Sequence, residues 1–324
     1  MSLSIVKSLL IFIVVIGALL GSYIYYQLFV YTNPATSLVI IQKGASSAQI
    51  ADILKENKVI SNTLVFRAAS LLITIYKKRY IIPGEYEMPE NINSVGALKK
   101  MLSGQRVVRK VTIPEGLTVK QISEILENSY GLFGKFELRM DCSLMPDTYY
   151  YFYGDERESI FKRMEVSFKE YIDSVWESKT TKLDNVLDVI TLASIIEKET
   201  RVPEEREIVS SVYTNRINKN MLLQADPTVI YAITNGYGYQ EKELTLDDLR
   251  FPSKFNTYVS HGLPPNPICC SGKASIKAAL NPSNTDYIFF VADGKGGHIF
   301  AKDLADHNKN VQAYRKAKKE ARSN

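Results

Sequence analysis

Two carboxylates, Glu197 and Glu199, stand in the heptad Ile195-Ile196-Glu197-Lys198-Glu199-Thr200-Arg201, at the end of a strongly apolar segment. From Leu183 to Ile196 the chain reads Leu-Asp-Asn-Val-Leu-Asp-Val-Ile-Thr-Leu-Ala-Ser-Ile-Ile, apolar nearly all round a helical wheel. A helix of that kind belongs inside a core. A carboxyl carried there is desolvated, which raises its pKa toward the range where a protonated acid can work at neutral pH. The opposing reading puts both glutamates just past the buried part, solvated and inert. Positions two apart differ by about 200° around a helix, so the pair is not expected to point into one cleft. Periodicity leaves the choice open: Leu192, Ile195 and Ile196 flank Glu199, while Val186, Ile190 and Ala193 flank Glu197.

Other chemistries fit poorly. The three histidines, His261, His298 and His307, are not spaced as two ligands on one helical face, and no cysteine pair has zinc spacing. Neither a Gly-x-Ser-x-Gly elbow nor a phosphate-binding glycine loop is present, and Gly294-x-Gly296-Gly297 reads as a hairpin turn. No metal and no cofactor are expected. A net charge of +5 on 324 residues is too small to argue for nucleic acid. Cys269 and Cys270 are adjacent, so at most one bridge, to Cys142, is open; otherwise all three are unpaired thiols. Carboxylate chemistry remains, and it points to cleavage of a glycosidic bond.

The elements that must hold these carboxylates read as an α+β domain. Helices are expected at 156–177, 183–201 and 204–218, the last with Pro203 in its first turn. A loop-rich stretch runs from Asn235 to Ser271, of the length that is usually functional or disordered. A strand at 286–292, a turn at 293–297 and a partner at 298–301 make a hairpin, and a basic helix at 304–322 closes the chain. Its charges are a solvated face or a contact for an anionic polymer.

Upstream, a linker at 33–37 precedes a strand at 38–41, helices at 48–57 and 62–78, a strand after Pro83-Gly84, and a helix at 95–102. Strand, glycine turn and Ile-x-x-Ile-Leu helix recur at 107–127, so a small α+β docking module has a related unit. Its role is scaffold or polysaccharide contact. From Ser8 to Tyr31 there is no charge, enough to cross the ~30 Å hydrocarbon layer. The length of the run and the late Pro34-Ala35 favour an uncleaved anchor over a signal peptide. Lys7 precedes it and no Lys or Arg follows until Lys43, which leaves the remainder outside the cytoplasm.

Several motifs then occur in one order. Leu192-Ala193-Ser194-Ile195-Ile196-Glu197-Lys198-Glu199-Thr200 is followed by Asn215-Arg216, Leu223-Gln224-Ala225-Asp226-Pro227-Thr228, Asn256-Thr257-Tyr258 and Gly262-Leu263-Pro264-Pro265-Asn266-Pro267. Asn281-Pro282 and Phe289 to Phe300 complete them, and Pro146-Asp147-Thr148-Tyr149 stands ahead. Together these resemble the endolytic murein transglycosylase (YceG-like) family, over roughly 146–314. The resemblance implies a membrane-anchored enzyme that cuts the β-1,4 bond between N-acetylmuramic acid and N-acetylglucosamine without water. One acid protonates the leaving oxygen and then helps remove the C6 hydroxyl proton, closing a 1,6-anhydro ring. A dedicated carboxylate pair is then not required.

The match places the acid at the second glutamate, Glu199, with Glu197 its structural neighbour. Gln224 and Asp226 are assigned to sugar binding or to orienting the acid, although Asp226 could instead cap the helix at Pro227. Asn256 and Tyr258 are assigned as hydrogen-bond donors to the sugar, with Tyr258 open to being a packed loop aromatic. His298 reads as a structural hydrogen-bonding residue or a catalytic one, the former favoured. The Gly-aromatic pair frequent before Pro-Asp-Thr-Tyr in the family is replaced by Cys142-Ser143-Leu144-Met145. The implied organisation is α+β throughout: a cytoplasmic stub at 1–7, a transmembrane helix at 8–31, a LysM-like module at 36–106, a connecting subdomain at 107–150 and a lytic transglycosylase domain at 151–324. Implied partners are peptidoglycan glycan strands, the cytoplasmic membrane and peptidoglycan synthases.

Overall fold

Helix α1 (Leu3–Phe29) opens the chain because nothing in it but Lys7 is charged and its apolar residues surround the axis. The computed structural model describes residues 3–139, 141–238 and 243–323. The stretch Ser4–Phe29 is long and apolar enough to cross a membrane. Its bounds differ from the expected 8–31: a single lysine does not interrupt a helix, and the chain leaves it before Tyr31. Thr32 then bridges to Ile92, fixing the exit.

The residues form two compact units, 1–109 with 130–133 and 150–155, and 110–129 with 134–149 and 156–324. In the first, β1 (Leu38–Ile41) pairs antiparallel with β2 (Gly84–Glu87), Val39 opposite Tyr86. Helices α2 (Ser47–Glu56), α3 (Thr63–Lys77) and α4 (Ser94–Leu102) cover it. Val39, Ile41, Leu54, Phe66, Tyr86 and Met101 form its core. The expected order of strand and helices holds here.

β3 (Val108–Thr112) pairs with β4 (Thr148–Phe152), a strand that the sequence reading did not anticipate. α5 (Val119–Glu127) follows β3, and the expected echo is real at the level of capping. Ser46 with Gln49 and Thr118 with Gln121 each close a capping box, behind Gly44 and Gly116 at positive φ.

In the second unit, α6 (Arg157–Val175), α7 (Val186–Glu199) and α8 (Arg206–Asn218) match the expected helices, except that Pro203–Glu205 is a separate 3-10 turn. α9 (Asp226–Ile233) and α10 (Lys273–Leu280) follow. α10 was not foreseen: its eight residues directly follow the loop-rich stretch. α7 is the centre, with Val189 to Ile196 all buried. Against it pack Tyr213 of α8, Tyr231 of α9, and Ile276, Ala279 and Leu280 of α10. β5 (Phe289–Ala292) and β6 (His298–Ala301) make the expected hairpin, Ala292 opposite His298, and α11 (Leu304–Ser323) follows. The fold is mixed α+β. Cys142, Cys269 and Cys270 are free and buried, so the bridge left open by the sequence is not formed.

Candidate active site

Glu199 is the last residue of α7. The helix stops there because Thr200 turns extended, its hydroxyl donating to Glu205 Oε2 at 3.1 Å and accepting from Val202 N at 3.0 Å. Glu199 is half-buried, but its Oε2 has essentially no accessible surface and no hydrogen-bond partner among the described residues. Burial pushes the carboxyl pKa up to about 7. The Tyr213 hydroxyl, hydrogen-bonded to it, opposes that rise; the nearby Asp226 charge adds to it; His298 and Arg216 oppose it more weakly. The helix C-terminus, the negative end of the backbone dipole, also favours the neutral acid. Glu199 is therefore poised to hold a proton near neutral pH.

Glu197 faces elsewhere. Its Oε2 accepts from the backbone N–H of Gly272, the cap residue of α10, at 3.1 Å. Gly272 also admits Glu115, whose carboxyl would lie about 2.0 Å from any Cβ there. One glutamate is thus packed against a helix start and the other opens to a cavity.

That cavity, about 320 Å³, is lined by Glu199, Arg216, Gln224, Asp226, Tyr258 and His298, with Phe290 to Ala292 along β5. Gln224 reaches it through a left-handed backbone, φ +50°, held by its N–H donating to Thr257 O at 3.1 Å. Such strain in a residue other than glycine concentrates at functional sites. Asp226 does not cap α9: the cap position is Ala225, without a side-chain cap. Its Oδ1 instead accepts from the Tyr258 hydroxyl at 2.6 Å. Burial and Asp226 both raise the Tyr258 pKa, so Tyr258 remains a donor. The start of α9 is pinned to the loop by Thr257, whose hydroxyl lies 2.9 Å from both Ala225 N and Thr228 Oγ1.

Of the residues expected from sequence, Glu199, Gln224, Asp226 and Tyr258 come together. Asn256 does not join them. It is fully buried, its amide donating to Leu249 O and Phe251 O and its Oδ1 accepting from Tyr258 N. Asn256 shapes the loop that presents Tyr258; both its amide hydrogens are already engaged.

Three contributors were given no role by the sequence. Arg216, only 7 % exposed, donates to Ile288 O at 2.6 Å and Leu223 O at 2.8 Å, joining α8 to both walls of the cavity. Tyr213 bonds the acid. Glu205 takes His298 Nδ1 at 2.7 Å and His298 N at 2.8 Å, the structural bond favoured for His298. Gly297 makes room for it, since a Cβ would sit 2.6 Å from Glu205 Oε1. Arg216 stood in the Asn215-Arg216 motif without a role, and the signal for Tyr213 was its place three residues before Arg216 on α8.

The cavity thus brings together a carboxyl whose pKa is raised toward neutrality, a second carboxyl in Asp226, and the side chains of Tyr258, Gln224, Arg216 and His298. Residues 39–313 match the YceG-like family, and the chain belongs to that family. It is 29 % identical over 326 residues to an endolytic murein transglycosylase of Bacillus subtilis strain 168, covering 89 % of this chain and 87 % of that protein. A second endolytic murein transglycosylase, from Streptococcus pneumoniae D39, is 24 % identical; the match covers 94 % of this chain but 64 % of the longer relative. The crystal structure of a YceG-like protein from Listeria monocytogenes superposes with a TM-score of 0.55 at 30 % identity, over 84 % of this chain and 97 % of that one.

Proposed function

We propose that this chain is a membrane-anchored lyase, an endolytic murein transglycosylase acting on peptidoglycan glycan strands. The names of its relatives support the class of reaction, and Glu199 carries the chemical argument. A carboxyl with a pKa of about 7 in the wall of a polar cleft can donate to a glycosidic oxygen and accept a proton back at the same pH. Glu199 protonates the bridging oxygen between N-acetylmuramic acid and N-acetylglucosamine as that bond breaks. Its carboxylate then takes the C6 hydroxyl proton while that oxygen closes on the anomeric carbon, leaving a 1,6-anhydro end. Tyr258 and Gln224 hold the sugar, Asp226 orients Tyr258, and Arg216 fixes the walls.

In this reading α1 crosses the cytoplasmic membrane once, residues 1–7 remain inside, and the rest lies outside. Residues 36–106 act as a LysM-like module, 107–150 as a connector and 151–324 as the catalytic domain. Cutting nascent strands would place it beside peptidoglycan synthases. The test is full-length protein in detergent incubated with isolated peptidoglycan, with Glu199→Gln alongside and the soluble products identified by mass spectrometry. Anhydromuramyl ends from the unmutated protein alone are expected. Reducing ends would make it a hydrolase, and no products from folded, glycan-binding protein would remove the enzymatic reading.

A further inference from the structure

Helix α3 has two apolar sides. One, carrying Phe66, is buried in the core of its unit. On the other, Leu64, Leu71, Leu72, Ile75 and Tyr76 are 55–82 % exposed. Their spacing makes one continuous stripe, and Arg67 is the only charge between Thr63 and Tyr76. A helix face that meets water is ordinarily polar, and a contiguous apolar patch marks an interaction surface.

Two observations identify the occupant. The start of α3 is fastened to the end of α1: Ser61 Oγ is 3.0 Å from Gln27 O and 2.6 Å from Gln27 Oε1, and Asn62 Nδ2 donates to Tyr23 Oη at 3.2 Å. Ser94 Oγ, at the start of α4, reaches Gln27 O at 3.2 Å. The stripe therefore begins where the apolar helix ends. At its other end Lys77, Lys78 and Arg79, all exposed, stand between Tyr76 and Tyr80. Basic and aromatic side chains bordering an apolar stripe suit a headgroup layer, their stems in the apolar region and their charges among anionic phosphates.

We propose that α3 lies in the bilayer interface beside α1, its Leu64–Tyr76 stripe at the acyl boundary and Lys77–Arg79 among anionic lipid headgroups. This rests on the reading of α1 as a membrane span. Attachment at two points would hold the β1–β2 unit in one orientation on the membrane, where a span alone would let it swivel.

The test uses full-length protein in phosphatidylcholine vesicles containing phosphatidylglycerol, spin-labelled singly at Leu71→Cys, Ile75→Cys, Val15→Cys in α1, or Glu56→Cys at the exposed end of α2. The native cysteines are buried, and unmutated protein gives the labelling background. Collision with oxygen and with a water-soluble nickel chelate reports depth. Labels at 71 and 75 are expected about 5–10 Å below the phosphates, with Val15 deep and Glu56 aqueous. Aqueous labels at 71 and 75 beside a deep Val15 would overturn the proposal and leave the span intact. An aqueous Val15 would remove the span and the proposal together. Labels at 71 and 75 shielded from both agents would mean a second copy or another protein covers the stripe, which also overturns it. All four sites are exposed, so none tests the core.

Discussion

The last turn of α7 has two sides, and they have been treated differently by the fold. Toward α10, Glu197 meets a backbone N–H and Glu115 nestles against Gly272, so the space is filled. On the cavity side, Glu199 lines the wall with one buried oxygen left unpartnered, Gln224 holds a left-handed backbone, and Tyr258 and Asp226 bond each other at the rim. Satisfied groups stabilise; unsatisfied and strained ones persist where function requires them. Burial alone does not make a carboxyl reactive. What separates the two glutamates is that one is packed against a helix start, whereas the other lines a cavity with one of its two oxygens left without a partner.

The largest effect that should separate them is on turnover. Glu199→Gln is expected to lower kcat by about 10³-fold, since an amide cannot donate the required proton. Glu197→Gln, which keeps an acceptor for Gly272, is expected to stay within a few-fold of the unmutated enzyme. Initial rates of product release, with circular dichroism to confirm folding, check both. Equal losses in the two variants would erase the distinction.

A second separation lies in pH. Because the folded Glu199 pKa, about 7, is above its ordinary 4.5, the folded state binds more protons than the unfolded chain between those values. Stability should therefore fall as pH rises from 4.5 to 7, by at most about 3 kcal/mol from this group. Urea unfolding at pH 5 and pH 8 should show that loss in the unmutated protein and its absence in Glu199→Gln. Turnover should decline above about pH 7, as the acid loses its proton. A stability difference unchanged by the substitution would place Glu199 in water.

How much of this was legible beforehand follows from the range of each interaction. The burial of α7 is written in its own fourteen residues, so the sequence located the glutamates. Which one faces the cleft depends on α8, which follows after a turn, and on α10 and β6, both distant in the chain, and the helical wheel was silent. Glu205 and Arg216 were missed for the same reason: their partners are His298 and Ile288, 93 and 72 positions away. Asn256 was misassigned because an exposed-looking loop amide resembles a sugar ligand until the carbonyls of Leu249 and Phe251 are found around it. β4 and α10 are short, and each gains its stability from packing more than from pattern.

The rim pair sharpens the comparison further. Asp226→Asn removes a charge that raises the Glu199 pKa, so the decline of turnover should move to lower pH. Tyr258→Phe should instead lower turnover by about 10-fold, the loss of one charge-assisted bond, at the cavity face where Tyr258 meets Asp226. A pH profile for each variant distinguishes them. An unmoved profile in Asp226→Asn would mean that Asp226 serves only to hold Tyr258.

The smallest effect concerns Gln224. A left-handed backbone costs a residue with a side chain roughly 1 kcal/mol, and glycine avoids it. Glycine also makes the unfolded chain more flexible, which offsets about half of that or more. Gln224→Gly should therefore be as stable as the unmutated protein or a few tenths of a kcal/mol more so, while Gln224→Ala keeps the strain and gains nothing. If the amide binds glycan, both variants should raise KM with kcat little changed, despite their different stabilities. If only the backbone turn matters, Ala should match the unmutated KM. Unfolding midpoints and KM measured on the same two variants settle which part of Gln224 the cavity uses, and a clear destabilisation by glycine would show that φ +50° is no burden there.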